Sequence, residues 1–260
     1  MVTKQEYKPL LGVEGFYLEK TDNSNCEYLF WNNSPYKIPV GPKRIIPKSG
    51  LCFFNILKDR VKNKNVLDLG CGEMGILSLF SIYHQAKNVL AVDIDSECVN
   101  WLNTIKKMYK IKNLEAKTSN MFEKVTQHFD IIVSNPPIMP MQNITSDVVH
   151  DSGGKDGRLF LKTIMKEALN FLTPKGSLIL SAFSFLGTNT RTNNDISLKE
   201  YAISLGYTSF EIVKQYNKIL SSTSVTYQQL PYIKQIYPNA SIEDLNNKIV
   251  IKYQIIEIKR

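Results

Sequence analysis

The sequence predicts an α/β fold with an open, mainly parallel β-sheet that carries helices on both faces. Short apolar segments alternate with amphipathic segments from Asn65 to Leu180, at the spacing of strand–helix units. Glycines cluster where the first of these strands meets its helix, and open sheets of this kind bind ligands outside the carboxyl ends of their strands. The 260 residues suffice for one such domain with an appendage.

The elements of the predicted sheet follow one another along the chain. The strands are predicted at NVLDLG, NVLAVDI, NLEAKTS, FDIIVSN and SLILSAF. The helices between them are predicted at MGILSLFSIYHQ, SECVNWLNTIKKMYKI and RLFLKTIMKEALNFL. We expect Asp95 or Ser96 to cap the second helix, because both side chains accept hydrogen bonds from the first turn. The segment TPKG predicts a turn before the last strand.

The flanking segments predict the domain organisation. Residues 1–50 contain aromatic and β-favouring stretches broken by Asn, Gly and Pro, which indicates a small β-rich cap. Residues 51–260 then form the main domain, interrupted by an insertion at about 221–247. The segments GYTSFEIVKQY and KIVIKYQIIEIK on either side of the insertion are predicted to form an antiparallel hairpin that closes the sheet.

Net charge, cysteine spacing and the lengths of apolar segments narrow the classes of protein that this sequence can represent. The net charge of +8 would suit an acidic partner such as nucleic acid, but the lysines are spread along the chain, which favours solvated surfaces. Cys26, Cys52, Cys71 and Cys98 form no CxxC pair, so we expect buried thiols in a reducing cytoplasm and no metal site. No apolar window has the length of a membrane span, and the N-terminal residues show no secretion signal.

The first candidate site is the segment VLDLGCGEMG at the first strand-to-helix junction. It places Asp68, Gly70 and Gly72 in a turn where glycine lets the backbone approach a ligand closely. The helix that follows offers unpaired N–H groups. Asp93 ends the next strand, where a carboxylate can accept both hydroxyl groups of a ribose. A dinucleotide and S-adenosylmethionine both suit this layout, and a carboxylate before the first glycine favours the zwitterion, S-adenosylmethionine.

The second candidate site is IIVSNPPIMP, residues 131–140, at the end of the fourth strand. The side-chain oxygen of Asn135 and the backbone carbonyl of Pro136 could accept two N–H bonds from one planar amino group. Such a pair would align the nitrogen for methyl transfer and stabilise its developing positive charge. Proline has no N–H to compete, and it favours extended geometry in the preceding residue. The alternative is a plain strand terminator with Asn135 as a turn former.

Both candidate segments resemble motifs of a known enzyme class. VLDLGCGEMG resembles the first motif of class I S-adenosylmethionine-dependent methyltransferases, and SNPPI resembles the Asn-Pro-Pro-aromatic motif of amino-group methyltransferases. The stretch DSGGKDGRLFLKTIMKEALNFLTPKGSLIL is similar to a loop and helix of the methyltransferases that modify a glutamine amide in peptide-chain release factors. The resemblance covers about residues 36–220.

The resemblance implies a Rossmann-like class I methyltransferase fold, with a mainly parallel seven-stranded sheet and an antiparallel C-terminal hairpin. It implies S-adenosyl-L-methionine as the cofactor. The residues it assigns to cofactor binding are Asp68, Gly70, Cys71, Gly72, Asp93, Ile94, Asn120, Met121 and Asn135. The residues it assigns to catalysis are Asn135, Pro136, Pro137 and Ile138.

Two positions depart from the resembled pattern. Ile138 stands where an aromatic side chain would stack on a planar acceptor, and Lys48 stands where an arginine is expected. The acceptor therefore remains open at this stage. A protein glutamine amide leads, a small molecule such as an amino acid or specialised metabolite is the alternative, and an RNA or DNA base amino group is a third. A non-catalytic binding protein is disfavoured by the intact motifs.

Overall fold

The computed structural model describes residues 2–8, 12–21, 26–142, 151–192, 195–245 and 248–260. Residues 9–11 and 22–25 of the predicted cap, and residues 246–247 of the predicted insertion, lie outside this description. The chain divides into two compact units, Met1–Ser134 and Asn135–Arg260. The predicted domain boundary at residue 50 stays a prediction.

The first unit begins with an antiparallel sheet. Its strands are β1 (Val2–Tyr7), β2 (Phe16–Thr21), β3 (Glu27–Trp31) and β4 (Ile38–Pro39), in that spatial order. Aromatic side chains of this sheet are buried against a neighbouring helix, as shown by the ring of Trp31, which lies 5.1 Å from that of Phe80. These strands agree with the β-rich character predicted for residues 1–50.

A parallel sheet follows in the same unit. Its strands are β5 (Asn65–Leu69), β6 (Asn88–Asp93), β7 (Leu114–Thr118) and β8 (Phe129–Ser134). Strand β5 pairs in parallel with β8 on one side and β6 on the other, and β6 pairs with β7. The helices of the unit are α1 (Phe54–Lys58), α2 (Ile76–Tyr83) and α3 (Ser96–Met108). The carboxyl ends of β5, β6 and β7 therefore share one edge, as predicted.

Helix α3 begins as the sequence predicts. The side chain of Asp95 caps it by accepting a hydrogen bond from the backbone N–H of Glu97 at 2.9 Å. Because Asp95 caps the helix, the carboxylate of Asp93, two residues earlier, is not needed as the cap and can take part in other interactions.

The described part of the second unit contains an antiparallel sheet and helices. Its strands are β9 (Leu172–Phe183), β10 (Ser209–Ile219), β11 (Ile242–Leu245) and β12 (Lys248–Lys259). Strand β12 pairs antiparallel with β9, β10 and β11, which confirms the predicted hairpin and adds β11 within the insertion. The helices are α4 (Leu159–Ala168), α5 (Leu198–Ser204), α6 (Val225–Gln228) and α7 (Leu230–Ile236).

Three local predictions were wrong. The segment TPKG is part of β9 and not a turn; Pro174 is tolerated there because β9 pairs with β12 only from Ser177 onward, so its missing N–H interrupts no bond of that ladder. Helix α4 ends at Ala168, four residues before the predicted end. Cys26 is exposed, whereas Cys52, Cys71 and Cys98 are buried as expected.

Among the described residues, no helix combines the length and the apolar character needed to cross a membrane.

Candidate functional site

The turn between β5 and α2 presents bare backbone to open space. Gly70 and Gly72 have φ angles of +73° and +64°, which strain any other residue. A Cβ atom added at either glycine would meet no atom within 4 Å. The N–H groups of Gly70 and Cys71 both donate to the carbonyl of Val92, at 2.8 and 3.0 Å, and so fix the turn to the end of β6. The turn is therefore anchored to β6 and leaves open space in which a ligand can approach its backbone closely.

Asp68 lies behind this turn with its side chain fully buried. Its Oδ2 accepts two hydrogen bonds from Ser78 in α2, one from the backbone N–H at 2.8 Å and one from the hydroxyl at 2.6 Å. Its Oδ1 is buried and has no hydrogen-bond partner within the protein. Burial raises the pKa of Asp68 to about 7, although the bonds from Ser78 lower it. A cation placed against Oδ1 would stabilise the ionised form.

Asp93 joins the turn to the end of β6. Its Oδ2 accepts the N–H of Gly72 at 2.8 Å, and its Oδ1 accepts the N–H of Asp95 at 3.0 Å. A carboxylate oxygen has two lone pairs, so each oxygen keeps capacity for one further donor. The two carboxylate oxygens of Asp93 can therefore each accept a hydrogen bond from one of two adjacent ribose hydroxyl groups.

The end of β7 completes the same edge. The N–H of Ser119 donates to the carbonyl of Asp93 at 2.8 Å, which places the following residues, Asn120 and Met121, beside the β6 terminus. The amide nitrogen of Asn120 donates to Glu123 at 2.8 Å, so its oxygen is the atom that can accept from a ligand amine. Met121 has a φ angle of +48°, held by the hydroxyl of Ser119, which donates to its carbonyl at 3.0 Å.

Ile94 and Cys71 at this edge differ in their exposure to solvent. Ile94 is 70% exposed, unusual for a large apolar side chain, and it follows Asp93 directly. Such a side chain can pack on a planar ring. Cys71 is buried, and burial raises the pKa of its thiol well above its ordinary value, so it acts as a small neutral packing group.

The sequence prediction missed Glu73 and Lys43. Glu73, in the glycine turn, is only 6% exposed, and its Oε1 accepts the backbone N–H of Lys43 at 2.9 Å. The Lys43 ammonium pairs with Asp95 and, at 3.1 Å, with Glu97, at the start of α3. Gly41 lies against the Glu73 carboxyl, where an added Cβ would come within 2.1 Å of Cδ. An acidic residue inside a glycine turn was the available signal, because such a carboxylate needs a partner.

These residues fit S-adenosylmethionine. The unpartnered Oδ1 of Asp68 offers a buried anionic atom to a ligand that carries an ammonium group. The open turn at Gly70 and Gly72 accommodates the chain of the ligand, and Asp93 suits its ribose. The predicted cofactor residues from Asp68 to Met121 thus lie on the ends of three neighbouring strands of one unit. We call this set the cofactor region.

Asn135 opens the second unit, directly after the last residue of β8. Its Oδ1 accepts two hydrogen bonds, from the hydroxyl of Ser181 at 2.9 Å and from that of Tyr253 at 2.8 Å. Ser181 and Tyr253 are fully buried on the neighbouring strands β9 and β12. The side chain that the sequence assigned to the acceptor is therefore held in place from two strands.

The residues after Asn135 form a packed corner. Pro136 and Ile138 are buried, and Pro137 is half-buried. Ile138 is 7% exposed, so it packs into the protein and leaves little surface on which a planar acceptor could rest. We call Asn135–Ile138 the acceptor clamp.

A backbone ladder supports the clamp. The N–H of Met139 donates to the carbonyl of Asp151 at 2.9 Å, and the N–H of Gly153 donates back to the carbonyl of Met139 at 2.8 Å. Gly157 lies so close to Ile138 that an added Cβ would come within 2.7 Å of its carbonyl oxygen. The segment GGKDG is therefore a fixed support for the clamp, built by hydrogen bonds on one side and close packing on the other.

Arg158 directly follows the GGKDG segment that supports the clamp. It is 1% exposed, its Nη2 donates to the carbonyl of Ile196 at 2.6 Å, and its Nη1 lies 3.3 Å from Asp195. The Oδ1 of Asp156 accepts the backbone N–H of Arg158 at 2.9 Å. Among the described residues, no cluster of three metal-ligating side chains is present.

A family model matches more than half of the chain. Residues 46–213 match the model described as "Methyltransferase small domain". The matched range contains the cofactor region and the acceptor clamp, but it ends before the insertion and before Tyr253.

Curated relatives carry related descriptions. A protein of Methanocaldococcus jannaschii, with the provisional name protein N5-glutamine methyltransferase, is 34% identical over 140 residues, which are 51% of this chain and 68% of the relative. The release factor glutamine methyltransferase of Buchnera aphidicola subsp. Schizaphis graminum is 27% identical over 195 residues, which are 69% of each chain.

Solved structures confirm the predicted fold class. A methyltransferase from Pyrococcus furiosus has a TM-score of 0.54 at 16% identity, covering 87% of this chain and 90% of its own. A 16S rRNA methyltransferase from T. thermophilus, solved in complex with AdoMet and guanosine, has a TM-score of 0.50 at 17% identity, covering 100% of this chain and 51% of its own.

Proposed function

The chain belongs to the methyltransferase small domain family and is an S-adenosylmethionine-dependent methyltransferase, and from that premise we propose that it methylates the side-chain amide nitrogen of a glutamine in a protein. The proposal includes the cytoplasm as its compartment. The single observation that carries it is the acceptor clamp, in which an amide side chain followed by two prolines is fixed by buried hydroxyl groups.

The chemistry of an amide acceptor explains the need for such a clamp. The lone pair of an amide nitrogen is delocalised, so the nitrogen is a weak nucleophile and must be held in line with the methyl group. Two acceptors aimed at its two N–H bonds hold it there and stabilise the positive charge that develops as the new N–C bond forms. In this proposal, the side-chain oxygen of Asn135 and the backbone carbonyl of Pro136 are the two acceptors.

When bound, S-adenosylmethionine would supply an electrophilic methyl group, whose bond to sulfur would break as the new N–C bond forms, leaving a neutral thioether. The protein's part is binding and orientation: Asp68 offers an anion to the ammonium group, Asp93 accepts the ribose hydroxyls, and Asn120 accepts from the adenine amine. After transfer, the methylated amide nitrogen loses a proton to solvent, so no strong base is required at the clamp.

Names of relatives support a glutamine over other amino groups. The two relatives described above are a protein N5-glutamine methyltransferase by provisional name and a release factor glutamine methyltransferase. The buried Ile138 supports a small acceptor group, because it offers no aromatic face on which a nucleobase could stack.

The test is a labelled-methyl transfer assay with the full chain. Purified release factors and a fractionated cell lysate are incubated with methyl-labelled cofactor, and labelled protein is digested and mapped by mass spectrometry. We expect label on one glutamine residue, with a mass increase of one methyl group. Label confined to small molecules or to nucleic acid would replace the protein acceptor with the corresponding alternative.

A further inference from the structure

The side-chain amide of Asn135 is hydrogen-bonded to two hydroxyl groups, and a hydroxyl group can either donate or accept a hydrogen bond. Ser181 is on β9 and Tyr253 on β12, and the register places Phe183 opposite Tyr253, so Ser181 and Tyr253 are diagonal neighbours on one face. Both are fully buried, and their hydroxyls lie 2.9 and 2.8 Å from Oδ1 of Asn135. Such contacts fix both the place and the plane of the amide.

The direction of these hydrogen bonds conflicts with the task of the clamp. A carbonyl oxygen has two lone pairs, and both hydroxyls donate to the Asn135 oxygen. An acceptor amino group also needs that oxygen, because it brings N–H donors. A half-turn of the amide exchanges its oxygen and nitrogen almost in place. The two hydroxyls then accept from the amide nitrogen, and the oxygen faces away from them.

We propose that Ser181 and Tyr253 are positioning residues that hold the Asn135 amide in either orientation, and that they change from donors to acceptors when Asn135 offers its oxygen to the acceptor. This proposal rests on the proposed function of the clamp. Tyr253 lies on β12, outside the matched family range.

The test compares Tyr253→Phe with Tyr207→Phe. Tyr207 is a matched control because it is also buried in the second unit and donates its hydroxyl, at 2.8 Å, to a backbone carbonyl, that of Met165. We expect Tyr253→Phe to lower kcat about tenfold, the effect of one lost hydrogen bond, and to leave the Kd of S-adenosylmethionine unchanged. Tyr207→Phe should lower Tm without lowering kcat.

A second pair of variants removes and restores the other hydroxyl. Ser181→Ala should lower kcat as Tyr253→Phe does, and Ser181→Thr should recover most of it. Equal kcat in wild type, Tyr253→Phe and Ser181→Ala would overturn the proposal.

A spectroscopic measurement separates this proposal from the proposed function. The side-chain amide signal of Asn135 in the ¹⁵N spectrum, assigned by its loss in Asn135→Asp, should shift in Tyr253→Phe and not in Tyr207→Phe. An unshifted signal overturns the positioning role whatever the acceptor. A wild type that labels no protein glutamine overturns the proposed function alone.

A second inference concerns the insertion, and a separate set of contacts carries it. Helix α7 ends next to the GGKDG segment: the hydroxyl of Tyr237 donates to the carbonyl of Asp156 at 2.6 Å, and that of Tyr232 donates to the carbonyl of Lys155 at 3.0 Å. Tyr237 is 7% exposed, and its ring lies 5.8 Å from that of Phe185. The insertion thus holds the segment that supports the clamp.

We infer that the insertion is a specificity element for the acceptor, acting through Tyr232 and Tyr237 on the support of the clamp. The contacts run from these tyrosines to the carbonyls of Lys155 and Asp156, and Gly157 then packs against the carbonyl of Ile138. The insertion lies outside the matched range 46–213, which is where a feature particular to this chain would be found.

Hydrogen exchange measured by mass spectrometry tests this role without an acceptor. In the double variant Tyr232→Phe/Tyr237→Phe we expect faster exchange in peptides that cover residues 138–142 and 151–158. Tyr227→Phe is the control, since Tyr227 lies in α6 of the same insertion and is 38% exposed. Exchange that is equal in all three proteins would overturn the inference.

The kinetic consequence is tested on the acceptor found in the labelling assay. The double variant should raise the KM for that acceptor at least threefold and leave the Kd of S-adenosylmethionine unchanged. An unchanged acceptor KM despite faster exchange would reduce the insertion to a structural support and overturn its role in specificity.

Discussion

The cofactor region of the first unit and the acceptor clamp of the second are held by contacts of very different range. In the cofactor region, Asp68 is bonded to a residue 10 positions away, and Asp93 to one 21 positions away. In the clamp, Asn135 is bonded to residues 46 and 118 positions away. The cofactor region is thus built from one continuous stretch of sequence, and the clamp depends on strands that arrive much later in the chain.

This difference in contact range indicates which changes in sequence could alter the geometry of each region. A region built from neighbouring elements can keep its geometry as long as its own motif is kept. A clamp held by distant strands can be adjusted by changes in those strands, without any change in the motif itself. The acceptor can therefore change while the cofactor stays the same.

The largest expected effect separates the two regions. Asn135→Ala should lower kcat by about 10²–10³-fold, because one of two oriented acceptors is lost from the transition state. The Kd of S-adenosylmethionine, measured by calorimetry, should change less than about twofold, because the cofactor region is built within the first unit. Unchanged turnover would refute the clamp, and a parallel loss of cofactor binding would refute the separation of the two regions.

Asp93→Ala should show the reverse pattern. Loss of the carboxylate removes the acceptor for the ribose hydroxyls and frees the N–H of Gly72, so we expect about 100-fold weaker cofactor binding. Asp130→Ala is the matched control, because Asp130 also accepts a backbone N–H, that of Asn65 at 2.9 Å, but at the opposite end of β5. It should lower Tm with no effect on calorimetric affinity.

The protonation of Asp68 should make both the stability of the ligand-free protein and its affinity for the cofactor depend on pH. Its pKa is raised to about 7, so the folded protein binds one more proton than the unfolded chain between the ordinary value of 3.8 and about 7. Stability of the ligand-free protein should therefore fall as pH rises through this window.

Cofactor affinity should move in the opposite direction. The ammonium group of the cofactor favours ionised Asp68, so affinity should rise up to about tenfold between pH 6 and pH 8. Calorimetry on Asp68→Asn gives the reference, since the cofactor's own titration affects both proteins equally. An identical pH profile in the two proteins would contradict the proposed contact.

The smallest effect is expected at Lys43. Its ammonium pairs with Asp95 and Glu97, and all three side chains are at least one third exposed. Lys43→Met should therefore destabilise the protein by less than about 1 kcal/mol, and the difference should shrink in high salt. Denaturant unfolding at low and high ionic strength measures it, and a larger, salt-independent loss would indicate that Lys43 orders the cofactor region in another way.

Much of the fold was predictable because its signals are local. Apolar runs and amphipathic segments predicted the strands and helices of the parallel sheet, and position alone limited the cap of α3 to Asp95 or Ser96, of which the structure shows Asp95. The errors also have local causes. Pro174 and Gly176 indicate a turn when sequence alone is considered, but both lie in β9 just before Ser177, where its pairing with β12 begins.

The sequence by itself determined that the glycine turn and Asp93 lie side by side, because adjacent parallel strands bring their carboxyl ends together, and on that basis it predicted the cofactor region. It also identified Asn135 and its prolines as a rigid amide beside a strand end. Only the tertiary structure decided what holds that amide. Ser181, Tyr253, Tyr232 and Tyr237 carry no motif, and their roles follow from strand register and loop packing. Side-chain pairs of this kind are fixed by chain closure over long separations, which no short stretch of sequence encodes.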